Sequence, residues 1–163
     1  LAAGAAAVVC LVPLVPRLPF RTTRWSVPAF FDGRGADAVP DGAVVIVSPY
    51  PSETDPSVEV WLAEAGDRWR SAGGTYFVPD RTGRVTIGGP VPVADAVDVR
   101  LEQGVSATAL GPLRAQVQAD LQARHVRAVI AGPGRHQDQV VRWWTAILGP
   151  PRPVGGVELW TIV

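Results

Sequence analysis

Apolar residues recur along this chain in two patterns, continuous short runs and helically spaced stripes, and their order predicts the fold. Ala43, Val44, Val45, Ile46 and Val47 follow the turn-forming Pro40, Asp41 and Gly42 as one uninterrupted apolar run. An uninterrupted run, unlike an alternating one, suits a central strand covered on both faces. Asp55 is placed to cap a helix and Pro56 suits its first turn. Val58, Trp61, Leu62, Ala65 and Trp69 then recur on one helical face until Gly73 and Gly74 stop the helix. Thr75, Tyr76, Phe77 and Val78 are β-prone and end at Pro79, so a strand, helix, strand unit is predicted over residues 43–78. Residues 79–92 read as loop. Arg84–Ile87 has room for a short edge strand only, because Gly88, Gly89 and Pro90 follow.

The second half repeats the rhythm. Leu110, Leu113, Val117 and Leu121 make an apolar stripe, and the run from Val126 to Ala131 is broken only by Arg127. Gln137–Leu148 predicts a helix with Val140, Val141, Trp144, Ile147 and Leu148 inward, stopped by Gly149 and two prolines, before a closing strand over Val157–Val163. Alternating strands and helices predict a single three-layer α/β domain with a mostly parallel sheet of about four to five strands and right-handed crossovers.

The amino-terminal stretch follows other rules. Leu1 to Pro16 carries no charged side chain, but a spanning helix needs about 20 such residues, and Pro13 interrupts it. It reads as the end of a transmembrane helix whose first turns precede Leu1. A signal peptide would open with a basic region that is missing here. A lipid anchor at Cys10 would want a smaller residue than Val9 before it. A buried core helix fits the Gly and Ala content of residues 1–7 less well than membrane packing does. Residues 17–38 then form a Pro- and Arg-rich juxtamembrane connector, with Arg17, Arg21 and Arg24 near the membrane end and Trp25 suited to an interface. The soluble domain is expected over residues 39–163.

Composition narrows the chemistry. A chain of 163 residues with 47% hydrophobic content can bury one sizeable core. Fifteen basic and fifteen acidic residues cancel, so no face suited to a nucleic acid is indicated. One cysteine excludes an intramolecular disulfide, and no Cys/His spacing suits zinc; neither metal nor cofactor is expected. The turn Gly132, Pro133, Gly134, Arg135, His136 lies between a strand and a helix, where anions bind in α/β folds. It lacks the lysine and hydroxyl of a phosphate loop and the spaced glycines of a dinucleotide fingerprint, and so reads as a connecting turn. His125, at a helix-to-strand junction, reads as structural. No Gly-x-Ser-x-Gly occurs, and no catalytic residue is assigned.

The richest stretch runs from Trp61 to Phe77. Glu64, Arg68, Arg70, Gly73, Gly74 and Tyr76 are its candidate substrate-binding residues, because aromatic rings stack on sugar faces while carboxylates and guanidinium groups hydrogen-bond hydroxyls or phosphates. The plainer alternative puts Trp61 and Trp69 in the core and the charges on a solvated face.

The succession of the apolar amino-terminal helix, Val27-Pro28-Ala29-Phe30-Phe31, Val39-Pro40-Asp41-Gly42, the strand Ala43–Ser48 and Pro49-Tyr50-Pro51 resembles the carboxyl-terminal tails of actinobacterial polytopic membrane proteins. Those tails belong to glycosyltransferase-like proteins that use lipid-linked sugars. Trp61, Ala65, Gly66, Arg68, Trp69, Gly73, Gly74 and Tyr76, and later Val126-Arg127-Ala128-Val129-Ile130, are similar as well. The resemblance implies that the catalytic acid lies in an earlier extracytoplasmic loop outside this chain. It further implies an accessory extracytoplasmic domain at the cell membrane, helping to bind a lipid-linked sugar or a cell-envelope glycan acceptor. The basic cluster at Arg17, Arg21 and Arg24 points the other way, to a cytoplasmic side. A rival reading, a membrane-tethered module recruiting a protein or cell-wall partner, predicts an exposed apolar patch around Trp143 and no polar cleft. A free-standing enzyme would require a pocket holding titratable groups with perturbed pKa values.

Overall fold

The computed structural model describes residues 25–52, 55–74, 77–79, 82–87 and 91–162. The predicted membrane helix over residues 1–16 lies outside them. Among the described residues, no helix is long and apolar enough to cross a membrane. Trp25 is exposed, whereas Phe30 and Phe31, which the sequence reading assigns to the connector, are 0% and 1% exposed.

Five strands form one mixed sheet in the order β2-β1-β5-β7-β6, flanked by helices on both faces. β1 (Val44–Ser48) is central and parallel to both β2 (Arg70–Ser71) and β5 (Val126–Ala131), with Val45 opposite Ala128 and Ile46 opposite Val129. β7 (Val157–Thr161) and β6 (Arg152–Val154) complete the sheet in antiparallel pairing. The mixed α/β architecture and strand number match the expectation, but the parallel part comprises β2, β1 and β5 only. The sequence reading missed β6, since Pro151 and Pro153 flatten any strand signal. Proline is tolerated there because β6 is an edge. Gly155 and Gly156, at φ 57° and 84°, make the two-residue turn into β7. A Cβ at Gly155 would overlap the backbone of Phe30, whose N–H donates to the Gly155 carbonyl at 2.9 Å.

Alternation along β1 assigns the layers. Val45 and Val47 face helix α1 (Ser57–Glu64), through Val58 and Trp61, and the cluster of Phe30, Phe31 and Trp69. Ile46 faces the opposite layer, built from α2 (Val93–Glu102), α3 (Arg114–Ala123) and α4 (Gln137–Leu148). Trp143 and Trp144 are both fully buried in that layer, so the patch expected around Trp143 is core. Helix α1 is shorter than its apolar pattern suggested, because Gly66 and Asp67 adopt left-handed conformations at φ 70° and 50° and end it. Trp69 is buried from the extended segment after α1, with its indole donating to the Val39 carbonyl at 3.2 Å. The strand beside β1 is therefore Arg70–Ser71 rather than Thr75–Val78. Phe77–Pro79 (β3) pairs with Val85–Ile87 (β4) in a separate antiparallel hairpin.

Candidate functional site

Helix α2 begins after Pro92, and its Ala94 N–H is taken by Asp120 Oδ2 at 3.0 Å. Ala94, Val97 and Leu101 anchor it in the core. Three acids, Asp95, Asp98 and Glu102, recur at three- and four-residue spacing on nearly the same face, so burying the apolar stripe carries them inward. Asp95 and Asp98 are each 1% exposed.

Each acid is accommodated differently. Asp95 meets Arg124 at 3.1 Å, and Arg124 also reaches Asp120 at 2.8 Å and the Ala72 carbonyl at 3.0 Å. Burial raises the Asp95 pKa, and the Arg124 charge opposes that rise. Asp98 accepts the Trp144 indole N–H at 3.4 Å on Oδ1, while its buried Oδ2 has no donor. Its neighbour there is Glu102, one helical turn on, whose Oε1 accepts the Ser48 hydroxyl at 3.4 Å and the Tyr50 N–H. Two carboxylates one helical turn apart in so enclosed a place repel when both are ionised, which favours a proton on the pair. Burial pushes Asp98 up to about 6. Burial, together with the Asp98 charge, pushes Glu102 up to about 8.

Glu102 is not sealed in. It forms part of the floor of a cleft of about 700 Å³, lined also by Pro49, Tyr50, Asp55, Gln103 and Arg135. The topology explains the cleft. Parallel neighbours β1 and β5 hand the chain to helices on opposite faces, β1 to α1 and β5 to α4, so their following loops diverge. A crevice outside the strand carboxyl ends at such a reversal is where open α/β sheets bind ligands. Asp55 Oδ1 accepts the Ser57 N–H at 3.1 Å and so starts α1 from this wall. The Tyr50 hydroxyl donates to the Gly74 carbonyl at 3.0 Å.

The residues singled out from the sequence spread over both ends of the sheet. Glu64 is exposed at the carboxyl end of α1. Arg68 is held by Asp37 at 3.2 Å and Asp41 at 2.7 Å, near the start of β1, with its guanidinium 5.9 Å from the Trp69 ring. Arg70 is exposed and donates to the Gly42 carbonyl at 3.2 Å. Gly73 and Gly74 lie at the other end: a Cβ at Gly73 would stand 3.1 Å from the Tyr50 ring and 3.2 Å from Asp95. Tyr76 lies outside the described residues. Trp61 and Trp69 are core residues, with no flat face free for stacking. The acids of α2 escaped the sequence reading although their spacing beside Ala94, Val97 and Leu101 was a readable signal. His136 lies at the amino end of α4 with φ 50°, and its imidazole would stand 3.2 Å from a Cβ at Gly104. Exposed His125 ends the turn after α3 at φ 53°.

Fold and cleft together define a mixed α/β domain with an acid-floored, open site at the strand-order reversal. No protein-family model, curated protein or solved structure matches the chain. Among the described residues, no group of three or more His, Cys, Asp or Glu side chains is arranged to hold a metal ion.

Proposed function

We propose that this domain binds a hydroxyl-rich ligand in the cleft at the carboxyl ends of β1 and β5. In that role it would serve as an accessory, extracytoplasmic, acceptor- or lipid-linked-sugar-binding part of a glycosyltransferase-like membrane protein. The observation that carries the reading is the cleft itself, with Tyr50, Asp55, Glu102, Gln103 and Arg135 around one concavity of about 700 Å³. Ligand sites have this size and a few converging polar groups. An aromatic ring beside carboxylates and a guanidinium suits sugar hydroxyls. The apolar patch that the rival, partner-recruiting module expected around Trp143 is core, since Trp143 is buried.

The test is a binding screen of neutral glycans and lipid-linked sugars against the wild type, Glu102→Ala, Arg135→Ala and Arg68→Ala. Binding lost in the first two variants and kept in the third supports the reading. Loss confined to Arg68→Ala would move the site to the opposite end of the sheet, and no binding to any sugar would return the partner-recruiting module to the front.

One observation favours a second reading. Glu102 is a cleft carboxyl group still protonated near neutral pH, as a general acid must be. Turnover of a bound glycoside, abolished in Glu102→Gln, would establish it; binding without turnover leaves the accessory role.

A further inference from the structure

The cleft's own chemistry narrows what it takes, provided the binding reading above holds. Asp98 and Glu102 lie one turn apart on α2, and the buried Asp98 Oδ2 makes no hydrogen bond. Among the described lining residues, Asp55 adds a further acid and Arg135 a guanidinium. Arg124 is committed to Asp95, Asp120 and the Ala72 carbonyl. A phosphate would meet this floor at an electrostatic loss, since a carboxylate and a phosphate repel in a partly desolvated site. A hydroxyl, which both donates and accepts, suits a floor that offers carboxylate oxygens and one carboxylic proton.

We propose that the cleft accepts an uncharged, hydroxyl-rich glycosyl group, excluding its phosphate, and that the single proton held between Asp98 and Glu102 is required for that group to bind. The proton matters because it holds the floor together. Without it, two like charges in contact must separate, and Glu102 leaves the Ser48 hydroxyl and the Tyr50 N–H that fix it. Among the described residues, the charged and titratable groups around the pair include Asp95 on α2, Asp120 and Arg124 on α3, and Tyr50 and Asp55 on the loop after β1. Arg135 and His136 come from the loop before α4, with His136 against Gly104 just beyond α2. Burial raises the Tyr50 phenol above its ordinary value, so it does not ionise before the pair.

Amide NMR titrations of the 163-residue chain test this, using methyl glycosides of glucose, mannose and galactose, the matching glycosyl phosphates, and the methyl glycoside of glucosamine. Neutral glycosides should shift the amides of Tyr50, Glu102, Gln103 and Arg135 and bind more tightly than the phosphates. Their affinity should hold up to about pH 8 and then fall about tenfold per pH unit. Glu102→Gln, which keeps a donor at this position and cannot titrate, should bind with little pH dependence; the wild-type series stands whether or not that variant folds. Tighter binding of the phosphates overturns the proposal, as does tighter binding of the glucosamine glycoside with an affinity that rises with pH. Neutral binding independent of pH in the wild type overturns the proton requirement while leaving the glycan-binding function intact. Absence of glycoside binding at every pH overturns both.

Discussion

Among the described residues, the molecule twice sets one arginine between two aspartates, once at the surface and once enclosed. At the amino end, Arg68 bridges Asp37 and Asp41, whose side chains are 88% and 73% exposed. On the helical face near the cleft, Arg124 bridges Asp95 and Asp120, at 2% and 16%. The residue types are identical and the physics is not. Exposed pairs exchange water contacts for weak, salt-screened attraction. Enclosed pairs are bound by the cost of leaving either partner alone. The two differ equally as sites, because the enclosed one shares helix α2 with the buried Asp98 and with Glu102 in the cleft lining.

The largest effect is expected at Arg124. Arg124→Ala strips the buried Asp95 of its cation and should cost about 3–5 kcal/mol in urea unfolding, as removal of one partner of a buried pair does. Gly155→Ala comes next. Its Cβ would run into the Phe30 backbone and the residue would keep a left-handed φ of 57°, for a loss of about 1–3 kcal/mol in the same measurement. A third test uses pH. Asp98 and Glu102 have folded-state pKa values raised above their unfolded ones, so the native state holds more protons than the unfolded state between the two. Stability is therefore fullest below the ordinary carboxylate range. It declines as pH rises through about 6 and about 8, by at most ~1.4 kcal/mol per pH unit for each retained proton. Glu102→Gln should flatten the upper part of that slope in thermal melts across pH. The smallest effect belongs to Arg68→Ala, which should leave the unfolding midpoint nearly unchanged in ordinary salt, since both its partners are exposed.

How much of this was legible beforehand depended on the kind of signal. The central strand announced itself through the run from Val44 to Val47, because burial on both faces leaves no polar position to confuse the pattern. Helix α4 was readable for the same reason, its apolar stripe being long and capped by Gly149. Helix α1 was overextended, since Trp69 continues its apolar spacing by coincidence while Gly66 and Asp67 turn the backbone away. The site was harder. Charged residues clustered around two tryptophans drew attention to residues 61–77, but both rings are spent on the core. The acids of α2 went unread because the helix over Val93–Glu102 was itself not assigned from the sequence. Only the reversal of strand order between β1 and β5, a long-range property, opens the cleft beside Glu102.

Carboxyl-carbon NMR titration of Asp98 and Glu102 reads the proton on the acid floor of this cleft. The pair is expected to keep one proton past neutral pH and to release it near pH 8, with both carbons responding together. Two independent titrations completed in the ordinary carboxylate range would contradict it and leave the cleft an unremarkable, fully charged surface.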